Sequence, residues 1–287
     1  MGYPMAQNLL RGGHRVALWS HSAGKAKKLA GEAGGDFRAT PKEAAAGAEG
    51  IFVCVGNTAM SEAVLTGEDG VIHGAKEGAI VCDCSTVAHS SSLRTGRELA
   101  AKGIHFLDTP CTGSKAGAEG ASLTFMIGGD RGNFERAKPW LEAMGKQFYY
   151  CGSAGQGLRA KLTQNLVLAN MLEAFNEGIV LATRGGVDPS LMVEILNNSA
   201  ARSGLISAKA PAVLDRNFTT NFSTKWMAKD IGLALELGRE TGVPLPVTGL
   251  TQQMFQAAIS KGYGEQDMCS TVKILEEWAG VEVKKSQ

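Results

Sequence analysis

Between His14 and Cys151 short apolar runs alternate with helix-forming stretches, and at Gly152 that alternation stops. The runs at residues 16–19, 51–55, 79–83, 105–108, 123–127 and 147–150 have the length and composition of strands, and stretches such as 23–31 and 91–102 between them have helical spacing. Strands that alternate with helices predict stacked βα units around a parallel sheet. Beyond Gly152 the pattern is helical almost throughout. Residues 154–184 read as one helix ended by Gly185-Gly186, roughly 45 Å long at a rise of about 1.5 Å per residue. Asp188 before Pro189 is a good N-cap with proline at the first helical position, and further helices cover 224–241 and follow Pro246 and Glu265. The expected architecture is an α/β domain over 1–152, then an all-α domain over 153–287 that begins with the long helix. The charged tail 281–287 is expected to fray.

Composition removes several function classes. The chain has 287 residues, 44% of them apolar, enough to bury a sizeable core. Its 29 Lys and Arg nearly balance 28 Asp and Glu, so no excess of positive charge favours nucleic acid or an anionic membrane surface. The longest apolar runs, such as 79–82 and 179–182, are far shorter than a membrane span, and no charged-then-apolar leader opens the chain. A cytoplasmic enzyme is expected. The six cysteines form no Cys-x-x-Cys pair and the five histidines no His-x-x-x-His, so reduced buried thiols are expected and no metal is implied.

Candidate chemistry sits in four places. In Gly155-Gln156-Gly157-Leu158-Arg159-Ala160-Lys161-Leu162-Thr163-Gln164-Asn165, Lys161 and Asn165 are four residues apart and share a helix face. Lys161 can exchange a proton while Asn165 offers an oriented donor and acceptor, so the pair could hold and deprotonate a small hydroxy acid. A surface lysine beside an incidental asparagine would read the same way. Residues 108–120, Asp-Thr-Pro-Cys-Thr-Gly-Ser-Lys-Ala-Gly-Ala-Glu-Gly, follow a strand and are too glycine-rich for a helix; Thr112 and Ser114 bring hydroxyls, and Gly113 lets the backbone approach a carboxylate. Val55-Gly56-Asn57-Thr58 and Asp83-Cys84-Ser85-Thr86 lie at carboxyl ends of strands, where open α/β sheets bind ligands, although each is also an ordinary turn. After the strand at 16–19 an NAD enzyme usually has Asp or Glu to accept from the ribose 2′-hydroxyl. This chain has Ser20-His21-Ser22 with Lys25 one turn on, so NADP is preferred to NAD.

The opening Met1-Gly2-Tyr3-Pro4-Met5-Ala6-Gln7-Asn8-Leu9-Leu10 resembles the end of the Gly-x-Gly-x-Met-Gly-x-x-Met motif of the β-hydroxyacid dehydrogenase family, with Gly2 as its third glycine. The resemblance runs from residue 1 to about 280. The family's first strand and first two glycines are absent, which would expose two strand edges and half of the pyrophosphate cradle; a late start codon or a trimmed chain is the expectation. The resemblance makes 1–152 a Rossmann-like dinucleotide-binding domain and 153–287 a substrate and dimerisation domain. It implies a hydride transfer between NAD(P) and a small 3-hydroxy acid or its semialdehyde, of the 3-hydroxyisobutyrate dehydrogenase or 2-hydroxy-3-oxopropionate reductase type. It makes Lys161 the catalytic acid/base, Asn165 the substrate-orienting residue, and Thr112, Gly113 and Ser114 the carboxylate-binding turn. Threonine stands at 112 where the family has serine, and serine at 114 where it has glycine. Met1, Gly2, Ser20, His21, Ser22, Lys25, Val55, Asn57 and Thr86 are implied to contact the cofactor, with His21 where NADP-using relatives often have arginine. Lys229, in Lys229-Asp230-Ile231, is implied to close over the cofactor from the helical domain. A homodimer or homotetramer is also implied. Gln164 stands where 6-phosphogluconate dehydrogenases carry a histidine, and Lys161 argues against the imine reductases of similar fold. The alternative is a catalytically weak or dead member acting as a binding or assembly module; Lys161 and the near-neutral charge weigh against it.

Overall fold

The computed structural model describes residues 1–285. They fall into two compact units, Met1–Lys161 and the chain from Leu162 on.

The first unit runs α1 (Gly2–Arg11), β1 (Ala17–Leu18), α2 (Ala23–Ala33), β2 (Asp36–Phe37), α3 (Pro41–Ala45), β3 (Gly50–Val53), α4 (Thr58–Thr66), β4 (Ile80–Asp83), α5 (His89–Ala100), β5 (His105–Asp108), β6 (Cys111–Thr112), α6 (Ser114–Glu119), β7 (Leu123–Gly128), α7 (Arg131–Glu142) and β8 (Gly145–Gly152). Its main sheet has six strands in the order β3-β4-β5-β7-β6, with β8 on β7. Alternation along β4 shows why helices cover both faces. Ile80 and Cys82 point into a core with Met5, Leu9, Phe125 and Leu141, whereas Val81 points into another with Val53, Leu65, Leu99 and Ile104.

The sheet is mixed rather than parallel throughout. β3, β4 and β5 are parallel, but β7 runs antiparallel to β5 and β6. Asp108 faces Gly128, Cys111 faces Phe125 and Thr112 faces Thr124 in one continuous register, interrupted at Thr109-Pro110 because proline has no N–H for the ladder. A second correction concerns 114–119, expected as loop and found as the short helix α6. Asn8 Nδ2 donates to the Ala118 carbonyl (2.7 Å), and a Cβ on Gly117 would stand 3.4 Å from Leu123, so these glycines serve close packing. β1 and β2 form a separate parallel pair. Among the described residues β1 pairs only with β2 and β3 only with β4.

The second unit is helical: α8 (Gln156–Arg184), which starts in the first unit, then α9 (Pro189–Asn197), α10 (Gly204–Leu214), α11 (Thr224–Thr241), α12 (Pro246–Ser260) and α13 (Val272–Ala279). Asp188 caps α9 through the Leu191 N–H (2.9 Å). Ala169, Leu172, Phe175 and Ile179 share the inner face of α8 and pack with Ala210, Met227, Ile231 and Phe255. By length and composition alone α8 could cross a membrane, which the short-run reading of the sequence overlooked; within this unit its apolar face forms the core. The tail is not frayed as far as Lys285: Val283 is buried, its N–H donates to Glu276 Oε1 (2.8 Å), and the Lys285 N–H donates to the Leu214 carbonyl (3.1 Å). The rest of the expected frayed segment, residues 286 and 287, lies outside the described residues.

Candidate active site

Parallel β3, β4 and β5 bring their carboxyl ends to one edge, and the loops beyond them are tied together by a buried aspartate. The Val55 N–H donates to Ser85 Oγ (2.9 Å), the Ser85 N–H to Asp83 Oδ1 (2.9 Å) and Ser61 Oγ to Asp83 Oδ2 (2.7 Å). Asn57 caps α4, its Oδ1 accepting from the Met60 N–H (2.9 Å), so one expected cofactor residue also holds its own loop. Thr86 lies half-buried just past β4. Met1 and Gly2 open α1 beside the end of β3, where a Cβ on Gly2 would stand 3.6 Å from Cys54. Ser20 and His21 follow β1, Ser22 occupies the N-cap of α2, and Lys25 is exposed in its first turn.

Thr112 is held on β7, and the chain then turns sharply. Gly113 has φ +127° and Ser114 φ +55°, so a serine occupies the left-handed region at a cost of about 1 kcal/mol. Asp108, fully buried at the end of β5, accepts the Gly155 N–H at Oδ1 (2.7 Å) and the Leu158 N–H at Oδ2 (2.8 Å), both in the run-up to and first turn of α8. On the next turn Lys161 is only 7% exposed. Burial pushes the Cys111 thiol up to about 12, and the Lys161 ammonium pulls it the other way, so the amine lies within electrostatic reach of the residue preceding Thr112.

Within the second unit, Asn165 is buried and its Nδ2 donates to Asp230 Oδ2 (2.6 Å). Lys229 Nζ meets Asp230 Oδ1 at 2.9 Å and lies 5.9 Å from the Trp226 ring centre. Asp230 therefore joins the two residues expected to face substrate and cofactor.

Known proteins resemble this chain in sequence and fold. Residues 1–152 match the NAD-binding domain of 6-phosphogluconate dehydrogenase, and residues 155–275 match the NAD-binding domain of NADP-dependent 3-hydroxyisobutyrate dehydrogenase. The 2-(hydroxymethyl)glutarate dehydrogenase of Eubacterium barkeri is 35% identical, over 100% of this chain and 95% of that protein. Glyoxylate/succinic semialdehyde reductase 2, chloroplastic, of Arabidopsis thaliana is 32% identical over 96% and 76% of the two chains. The solved Mycobacterium tuberculosis 3-hydroxyisobutyrate dehydrogenase, crystallised with L-serine, superposes with a TM-score of 0.88 at 27% identity, covering 96% of this chain and 95% of that one. The chain belongs to the β-hydroxyacid dehydrogenase family.

Its chemistry is that family's, NAD(P)-dependent hydroxyacid oxidoreduction. The residues present fit such a cofactor. α3, α4 and α7 have their first N–H groups occupied by the side chains of Thr40, Asn57 and Asp130. α1, α2 and α5 have no side-chain cap and no acidic residue in the first turn, which suits helix starts that face an anion. Among the described residues no cluster of three His, Cys, Asp or Glu side chains is placed to hold a metal ion. All six cysteines are free thiols. Asp83, Asp108 and Asp230 are not among the site residues that the sequence alone points to. The one signal available was that each aspartate stands inside or beside a motif singled out for its neighbours.

Proposed function

We propose that this member of the β-hydroxyacid dehydrogenase family interconverts a small 3-hydroxy acid and its semialdehyde, with Lys161 as the acid/base group and NADP as the preferred cofactor. The observation that supports it best is the burial of Lys161 within electrostatic reach of Cys111, beside the turn at Thr112, Gly113 and Ser114. That turn receives the carboxylate through hydroxyls and backbone, Asn165 orients the hydroxyl-bearing carbon, and Lys161 takes the hydroxyl proton in oxidation or returns it in reduction. The bound nicotinamide supplies the hydride acceptor or donor. Met1, Gly2, Val55, Asn57, Thr86 and Lys229 are assigned to hold the cofactor. Ser20, His21, Ser22 and Lys25 are assigned to its 2′-phosphate, since Ser20-His21-Ser22 lacks the Asp or Glu usual in an NAD enzyme. A cytoplasmic location and a homodimer or homotetramer complete the reading.

The test is turnover of NADPH and NADH with succinic semialdehyde, glyoxylate and tartronate semialdehyde. NADPH should give the higher kcat/KM with at least one of them, and Lys161→Ala should lose at least about 100-fold in rate. Near-normal turnover by the variant refutes the role of Lys161, and no turnover by the wild type favours a binding module.

A further inference from the structure

We propose that Asp108 is the positioning residue of the acid/base lysine, clamping the start of α8 to the end of β5. The proposal rests on the reading of Lys161 given above. Asp108 and Asp83 face each other across the β4–β5 ladder, yet the two carboxylates have different duties: Asp83 ties the loops after β3 and β4, whereas Asp108 reaches 47 and 50 residues along the chain to the Gly155 and Leu158 N–H groups. Each oxygen takes one donor, so the carboxylate fixes both the position and the rotation of the first turn of α8. Lys161 follows Leu158 by three residues, on the same side of the helix, and inherits that rotation. Asp108 also ends the strand that leads directly into Thr109, Pro110, Cys111 and the turn at Thr112. One side chain thus couples the carboxylate-binding turn to the helix that carries the amine.

The surroundings are shaped to admit this carboxylate. A Cβ on Gly128 would come within 2.5 Å of Asp108 Oδ1, and a Cβ on Gly157 within 2.8 Å of Oδ2, so both neighbours must be glycine for the clamp to close. The ionisable groups around it are Asp83 on β4, Cys151 on β8, and His89 on α5, whose Nε2 lies 2.6 Å from where a Cβ of Gly155 would be. Burial pushes the Asp108 carboxyl up to about 6, with the Asp83 charge adding to the rise and the Gly155, Leu158 and Asp108 N–H groups favouring its charged form. Protonation turns one oxygen into a hydroxyl, a much weaker acceptor for an N–H, so the clamp is tight above that pH and loosens below it.

Asp108→Asn keeps the shape and replaces one acceptor with an NH2 group that faces a backbone N–H. We expect kcat to fall 10- to 100-fold while KM for the carboxylate substrate and Kd for NADPH change less than threefold. The wild type should lose kcat as pH falls through about 6. The asparagine variant should be low throughout and lack that limb. A merely structural aspartate would not move the pH profile. Lys161→Ala measured alongside separates the two ideas. If that variant is nearly inactive while Asp108→Asn keeps the wild-type kcat and profile, the positioning proposal fails and the lysine reading stands; if Lys161→Ala is nearly normal, the lysine reading itself fails. Should Asp108→Asn not fold, amide hydrogen exchange in the wild type decides. Protection at Gly155 and Leu158 should drop over the same pH interval as kcat, and protection that ignores pH overturns the proposal.

Discussion

Glu173 is the residue whose chemistry most clearly runs against its surroundings. It sits on α8 almost wholly buried, Asn176 Nδ2 reaches its Oε2 only at 3.5 Å, and its Oε1 has no hydrogen-bond partner among the described residues. Burial pushes its carboxyl up to about 7, with hydrogen bonds from Thr271 and Asn176 pulling the other way and Glu177 adding to the rise. A carboxyl whose folded-state pKa is raised leaves stability intact below its unfolded value, and that stability is lost as pH rises through the folded value. The loss therefore begins near 4.5 and is complete above about 7. Its full size is on the order of 3 kcal/mol. Glu173→Gln cannot ionise, so its Tm relative to wild type should climb between pH 5 and pH 8. A difference that stays constant across that range would mean Glu173 is not protonated in the native protein. Asn176 Nδ2 also donates to Thr271 Oγ1 (2.9 Å), so the glutamine must fit an existing polar cluster, and the pH trend is the diagnostic rather than the offset.

Whole elements are placed by glycines whose roles differ with what lies opposite. On α8 a Cβ at Gly157 would stand 2.5 Å from the Met126 carbonyl and 2.8 Å from the Asp108 carbonyl, so Gly157→Ala must push the helix off β5 and β7. A destabilisation of about 2–3 kcal/mol is expected in urea unfolding. Gly31, exposed on α2 with nothing within 4 Å of its would-be Cβ, is the opposite case, and Gly31→Ala should stabilise by about 0.5–1 kcal/mol. Equal effects at the two sites would show that helix propensity, not contact, governs both. The same contrast explains what the sequence revealed. α8, α9 and α11 were legible because their signals are local: Gly185-Gly186 after the helix, Asp188 before Pro189, apolar spacing along 224–241. α6 was hidden because Gly117 and Gly120 argue against a helix, and only the tertiary bond from Asn8 and the fit against Leu123 reverse that. β6 has two residues and exists through its register with β7. In the site, Lys161 and Asn165 stand out by spacing on one helix, whereas Asp230 earns its role from a bond to Asn165 across 65 residues, a distance no local pattern spans.

For the whole molecule the open question is how many copies act together, and α8 again carries the argument. Its inner face fills the core of the second unit, yet Val167, Met171 and Leu181 remain 48%, 36% and 75% exposed. At 100° per residue these three, with Ala174 and Gly178 between them, fall on a single stripe of the helix. An exposed apolar stripe of this kind suits a contact between copies of the proposed homodimer or homotetramer, and the small residues in its middle would allow close approach of a second helix. A second copy of this chain is the partner that the family expectation of a homodimer or homotetramer supplies. The wild type should therefore scatter light as a multiple of 30.1 kDa, and Leu181→Glu should shift the mass toward 30.1 kDa with its helical circular dichroism unchanged. Because α8 is also apolar and long enough to cross a bilayer, flotation with lipid vesicles belongs in the same experiment. Burial of Glu173 and Asn176 on the helix's inner side predicts that wild-type protein stays with the unbound fraction. A wild-type mass of one chain, or a Leu181→Glu protein that still assembles, would remove this stripe as the contact between copies.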